Sequence, residues 1–200
     1  MEMVDDDGFF ATLVNHKPDK NIRFFKVDKS KISLDFASPE NLVDYNMAEN
    51  MDKVVVLLST YNGEKYLEEQ LLSLQRQTGV DVTVLVRDDG STDNSARIIE
   101  SYCKLYPDKV FCISGEATGS AKKNFAKLLE CTDDDYIMFC DQDDVWLPEK
   151  IAVFHQEMKR LEAAWGADLP LLVHGDMREV DQSLGLINES FWKYANLRPD

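Results

Sequence analysis

Long apolar runs are missing from this 200-residue chain. The longest purely aliphatic stretch is Val54 to Leu58, far short of the roughly 20 residues of a membrane-spanning helix. Positive charge is also scarce: 22 Lys and Arg face 37 Asp and Glu, a formal net charge of −15. That balance repels nucleic-acid backbones and anionic membrane surfaces, so nucleic acid is not expected as a partner. The opening Met-Glu-Met-Val-Asp-Asp-Asp is acidic where a signal peptide needs a basic and then an apolar stretch, and a cytoplasmic location is expected. Cys103, Cys112, Cys131 and Cys140 form no CxxC pair and no zinc-type spacing with histidine, which predicts reduced, mostly buried thiols. Glycine-rich phosphate loops are absent too. Ser59-Thr-Tyr-Asn-Gly-Glu64 offers one glycine where a dinucleotide fingerprint needs three, and no G-x-x-x-x-G-K-[ST] occurs, which argues against dehydrogenase and P-loop chemistry.

What is present is enough apolar content, 44%, to build a core. Residues 1–50 mix short clusters (Phe9 and Phe10, Phe24 and Phe25) with turn formers and keep no long helical or strand period. The character changes at Met51, which leads into the β-branched run Val54 to Leu58, typical of a strand buried on both faces. Two regions are therefore expected: an N-terminal extension over 1–50, with no role assigned, and a folded domain over 51–200. A packed extension or the tail of a preceding domain fits the first region equally well.

From residue 53 onward, strand and helix patterns alternate. Strands are predicted at Lys53 to Leu58, Val82 to Arg87, Val110 to Ser114, Tyr136 to Cys140 and Leu169 to His174. Helices are predicted at Glu64 to Gln77, from Asp93 as N-cap through Ile99, Cys103 and Tyr106, at Ser120 to Cys131 burying Ala121, Phe125 and Leu128, and after Pro148 through Ile151, Phe154, Met158 and Leu161. Such alternation predicts an α/β fold, a Rossmann-like, mainly parallel sheet with helices on both faces. Ligands of such sheets bind beyond the C-terminal strand ends. Those ends here read Ser59-Thr-Tyr-Asn-Gly-Glu64, Asp88-Asp-Gly-Ser91, Asp141-Gln-Asp-Asp144 and Gly175-Asp176.

Residues 130–144 hold seven acids and no Lys or Arg. A divalent cation at Asp141 and Asp143 relieves their repulsion, because carboxylate oxygens are preferred by Mg²⁺ and Mn²⁺, which keep positions open for water and phosphate. A solvated turn capping the next helix is the plainer alternative. An EF-hand is excluded by Trp146 and Ala152 at the positions that need glycine and glutamate.

Four ordered motifs carry a resemblance: Val-Val-Leu-Leu-Ser-Thr-Tyr-Asn-Gly-Glu at 55–64, Val-Arg-Asp-Asp-Gly-Ser-Thr-Asp at 86–93, Gly-Ser-Ala-Lys-Lys-Asn-Phe at 119–125 and Asp-Gln-Asp-Asp-Val-Trp-Leu-Pro-Glu-Lys at 141–150. Together they resemble the nucleotide-diphospho-sugar glycosyltransferases of family 2, with the GT-A fold. His174-Gly-Asp176 and Ser190-Phe-Trp192 resemble the bacterial rhamnosyltransferase branch, whose members often build O-antigen and capsule chains. The resemblance covers about 51–192.

By position, the resemblance implies that Ser59 and Tyr61 contact the base and its surroundings and that Asp89 accepts the base N–H. Glu64 belongs to the same donor-side set, or serves as a helix-start residue. Lys122 or Lys123 would supply a cation near the nucleotide, Asp141 would hold the ribose or a metal water, and Asp143 would bind Mn²⁺ or Mg²⁺ at the diphosphate. The implied reaction is sugar transfer with inversion from a nucleoside-diphosphate sugar, dTDP-rhamnose or a UDP-sugar, to a saccharide or lipid-linked acceptor. Peripheral membrane association and completion by a partner chain or homodimer follow as further expectations. The family's general base usually comes from an acidic motif well beyond the Asp-x-Asp, so it is expected past residue 200, with Asp176 read as structural or donor-side. On that reading the chain lacks the C-terminal acceptor part, and a donor-binding fragment without transfer activity is the alternative, ahead of a sugar nucleotidyltransferase.

Overall fold

The computed structural model describes residues 12–15 and 52–197. The N-terminal extension expected over 1–50, with Phe9, Phe10, Phe24 and Phe25, lies outside the described residues except for 12–15, as does Met51. Four parallel strands form the centre of the sheet: β2 (Lys53–Thr60), β3 (Asp81–Asp88), β4 (Val110–Cys112) and β5 (Tyr136–Cys140). Two more join beyond β5, namely β1 (Thr12–Asn15) and β6 (Leu172–His174), in the order β4-β3-β2-β5-β1-β6. β1 runs antiparallel to both neighbours. A hairpin of β7 (Glu179–Val180) and β8 (Leu186–Asn188) forms a separate two-stranded sheet, followed by the short α5 (Phe191–Tyr194).

Period-two burial on β2 explains how two cores form. Val54, Val56 and Leu58 face one side with Val82, Val84 and Val86, against α1 (Leu67–Gln75), α2 (Ser95–Leu105) and α4 (Lys150–Trp165). Val55 and Leu57 face the other side, where α3 (Ala121–Leu129) contributes Phe125 and Leu128. Both sides of the central strand are dry, as its β-branched run implied, and helices cover both faces.

The differences from expectation have local causes. Helix α1 begins at Leu67, three residues later than the periodicity suggests, because Tyr66 N–H and Leu67 N–H both donate to Gly63 O (2.9 Å each) in a turn. The N-cap of α2 is Asn94, not Asp93; the Asp93 carboxylate instead receives the N–H of Ser95, the first helical residue (2.9 Å). Ala121 is exposed, and buried Asn124 takes its place on the inner face of α3. The predicted fifth strand is only Leu172–His174 and does not touch β5: β1 lies between them. Cys140 is buried and Cys103 partly so, but Cys112 and Cys131 are exposed, contrary to the expectation of mostly buried thiols; all four are free.

Candidate donor and metal site

Parallel β2, β3 and β5 end at one rim, and their loops are laced together there. The two loops after β2 and β3 exchange hydrogen bonds: Asn62 N–H donates to Ser91 Oγ (2.8 Å), Thr92 N–H to Asn62 Oδ1 (2.9 Å), and Gly63 N–H to Ser95 Oγ (2.8 Å). Glu64 N–H donates to Asp93 (3.0 Å), while the Glu64 carboxylate accepts from Asn94 N–H and Asn94 Nδ2, both at 2.8 Å. Glu64 thus serves the start of α2, a different helix from the α1 start its position suggested. Asn62 adopts φ +49° to make the turn, a left-handed conformation that asparagine tolerates better than most residues.

The β5 loop joins through Gln142. Its Oε1 accepts from Thr60 Oγ1 (2.6 Å) and Tyr61 N–H (2.8 Å), and its Nε2 donates to Tyr61 O (3.2 Å). Gly63 is required by this closeness, since a Cβ there would lie 2.5 Å from Gln142 Oε1 and 2.8 Å from Thr60 Oγ1.

On the α3 side, the floor of the rim is a buried polar network. Arg87 is 3% exposed and donates to Asn124 Oδ1, to Asp89 Oδ1 (3.2 Å) and to Glu116 O (2.6 Å). Asn124 Nδ2 donates to Ser59 Oγ (2.8 Å) and Arg87 O (3.0 Å). Asp89 also accepts from Thr118 N–H (2.6 Å), Thr118 Oγ1 (3.0 Å) and Ser120 N–H (3.2 Å). Burial alone would raise the Asp89 pKa, but the hydrogen bonds from Thr118, Ser120 and Arg87 outweigh it and hold the carboxyl below its ordinary value.

Three aspartates gather at the end of β5. Burial, reinforced by the charges of Asp144 and Asp143, pushes Asp141 up to about 7. Asp144 is raised chiefly by burial as well, with Lys150 pulling the other way. Lys150 lies 4.3 Å from the ring centroid of buried Trp146, whose backbone N–H donates to Ser73 Oγ on α1 (3.1 Å). Asp143 and Asp144 open onto a cavity of about 810 Å³ with Tyr66, Trp146, Phe154 and Met177 in its walls.

The sequence-named residues therefore fall into distinct places. Ser59 and Asp89 are buried in the Arg87–Asn124 network; Tyr61 is 56% exposed at the rim; Lys122 and Lys123 are exposed in the first turn of α3; Asp141 is half-buried and Asp143 exposed. Asp176 accepts from Met177 N–H (2.9 Å), Trp192 N–H (3.0 Å) and Ser190 Oγ, fastening α5 to the end of β6. Arg87, Asn124 and Gln142 are the participants that sequence reasoning missed. Each lay inside a quoted motif, and an Arg at the end of an apolar strand or an Asn on a helix's inner face was the available signal.

Residues 55–167 match the glycosyl transferase family 2 domain. The chain belongs to this family. It is 43% identical over 98 residues to dTDP-rhamnosyl transferase RfbG of Shigella flexneri, covering 47% of this chain and 34% of that protein. It is 35% identical over 99 residues to an uncharacterized glycosyltransferase of Nostoc sp., covering 50% and 30%. Among solved structures it is similar to residues 1–349 of S. aureus TarS in complex with UDP, with 33% identity, coverage of 52% and 32%, and a TM-score of 0.45. The chain spans about a third of the length of these curated relatives. Family membership and the helix-covered, mainly parallel sheet agree with the GT-A fold that the four motifs implied.

Proposed function

We propose that residues 51–200 form the donor-binding region of an inverting glycosyltransferase that moves a sugar from a nucleoside-diphosphate sugar to a saccharide or lipid-linked hydroxyl in cell-surface polysaccharide synthesis. The observation that carries this reading is the convergence of the Tyr61, Asp89 and Asp141 loops on one rim beside the cavity at Asp143. The 43% identity to a dTDP-rhamnosyl transferase supports dTDP-rhamnose as donor, with a UDP-sugar as the competing choice.

The carboxylates fit a hard divalent cation. Burial and its acidic neighbours push Asp141 up to about 7, so it shares a proton with solvent at neutrality, and a cation replaces that proton with a stronger partner for the same oxygens. Asp143 and Asp141 would hold Mn²⁺ or Mg²⁺, which when bound stabilises charge growing on the departing diphosphate. The chain's own residues position the donor: Gln142 holds the Tyr61 backbone, and Arg87 with Asn124 holds the Ser59 and Asp89 loops in place. Lys122 and Lys123 supply positive charge at the start of α3. We place the enzyme in the cytoplasm, at the membrane face if its acceptor is lipid-linked; among the described residues no helix is long and apolar enough to cross a membrane.

A second reading, donor binding without transfer, is favoured by one observation. Asp176, the acid at the end of β6, already accepts three hydrogen bonds that fasten α5, which disfavours it as the base for an acceptor hydroxyl. Calorimetric titration of UDP, dTDP and GDP, with and without Mn²⁺, on the wild type and Asp143→Ala tests the site. Metal-dependent binding of one nucleotide, lost in the variant, is expected; binding indifferent to both changes would refute it. Release of nucleoside diphosphate upon adding acceptor separates transfer from binding alone.

A further inference from the structure

The strand order carries a dependence that the active-site residues do not reveal. β6 makes its sheet hydrogen bonds to β1, not to β5, with Thr12 opposite His174, Leu13 opposite Val173 and Val14 opposite Leu172. On its other edge β1 pairs with β5, Thr12 opposite Phe139 through Asn15 opposite Tyr136. β5 and β6 therefore bracket a gap one strand wide, and four residues from far upstream of the parallel core fill it. Immediately after β6, Gly175, Asp176, Met177 and Arg178 become the far wall of the cavity, which continues to Leu184.

We infer that the gap between β5 and β6 is a strand-docking site, and that its occupant, β1, ties the far wall of the cavity to the sheet. β6 is three residues long and only partly buried. Its other support is α4, through Val173 and through Gly175, where a Cβ would lie 2.7 Å from Phe154. A three-residue strand with no ladder partner gives up every interstrand hydrogen bond to water, and contact with one helix does not restore the ladder. The core strands differ: β2 pairs with β3 over eight residues and lies buried along nearly its whole length. Release of β1 thus frees β6 and the cavity wall while leaving the β4-β3-β2-β5 unit and its laced loops assembled. Residues 12–15, which the donor chemistry does not use, acquire a role as the clamp on one side of the cavity.

Native-state hydrogen exchange on the full wild-type chain, under increasing sub-denaturing urea, tests this without any substitution. Amides of 12–15 and 172–174 are expected to open together as one unit, well before those of Val54–Leu58 and Val82–Val86. Protection at 172–174 that outlasts protection at 12–15 would overturn the inference. Val14→Pro removes a ladder donor in β1 and is expected to accelerate exchange at 172–174 by about tenfold or more, with β2 and β3 unchanged. Unchanged exchange at 172–174 in this variant, or equal acceleration across all strands, would also overturn it.

Discussion

Gln142 and Tyr61, 81 positions apart, are joined by a reciprocal pair of hydrogen bonds: the Tyr61 N–H donates to Gln142 Oε1 at 2.8 Å, and Gln142 Nε2 donates back to Tyr61 O at 3.2 Å. This side chain lies in sequence between the two aspartates proposed to hold the cation, and it clasps the loop after β2 rather than facing a ligand. Gln142→Ala is expected to lower stability by about 1–2 kcal/mol, from a net loss of about 1 kcal/mol per hydrogen bond, softened by partial exposure. Nucleotide affinity should fall with it, as the Tyr61 loop loses its anchor. Urea unfolding and nucleotide titration on the same preparation check both.

Gly63 tests the same contact by addition instead of removal. In Gly63→Ala the new methyl meets Gln142 Oε1 at 2.5 Å and Thr60 Oγ1 at 2.8 Å, so the clasp has to open. A stability loss of about 1–3 kcal/mol is expected for such overpacking. The double variant Gly63→Ala, Gln142→Ala should lose less than the sum of the two single variants, a non-additivity read from a double-mutant cycle.

Asp89 and Arg87 form a buried pair with further hydrogen bonds to Thr118, Ser120 and Asn124. Asp89→Asn removes the counter-charge and points amide hydrogens at N–H donors, at an expected cost of about 3–5 kcal/mol. The Asp89 pKa is held below its unfolded value, so its contribution is fully present above the unfolded pKa of about 4 and is lost as pH falls through the folded value. Acid unfolding followed by circular dichroism should show a component of this dependence in the wild type that Asp89→Asn lacks.

Asp141 has the opposite sign. Burial first, then Asp144 and Asp143, raise it to about 7. The folded state therefore holds a proton that the unfolded chain releases near pH 4. Without divalent cation, stability is expected to fall as pH rises from about 4 to about 7, and Asp141→Asn should flatten that slope. Adding Mn²⁺ at neutral pH should expel the proton. Calorimetry in two buffers of different ionisation enthalpy would read this release, and a binding heat independent of buffer would exclude it.

The parallel strands were legible because their signal is local. A β-branched run such as Val54 to Leu58 is dry on both faces whichever neighbours it finds, and Tyr136–Cys140 appears with the boundaries its pattern implied. The rim could also be anticipated, since the polarity of a strand end follows directly from the chain. The partners inside the rim could not. Nothing near Asp89 in sequence says that Thr118 and Ser120 will take up its carboxylate, and nothing near Gln142 names Tyr61.

By itself the sequence determined the alternation of strand and helix, the acidic character, and the four motifs that mark family 2, because each depends on residues adjacent along the chain. Only the tertiary structure decided that β1 lies between β5 and β6, that Glu64 serves α2 and not α1, and that Asp141 is driven toward neutrality. The physical reason is common to all three. Strand order, reciprocal capping and burial of charge depend on groups distant in sequence, whose meeting is set by the whole packed fold and not by any local pattern.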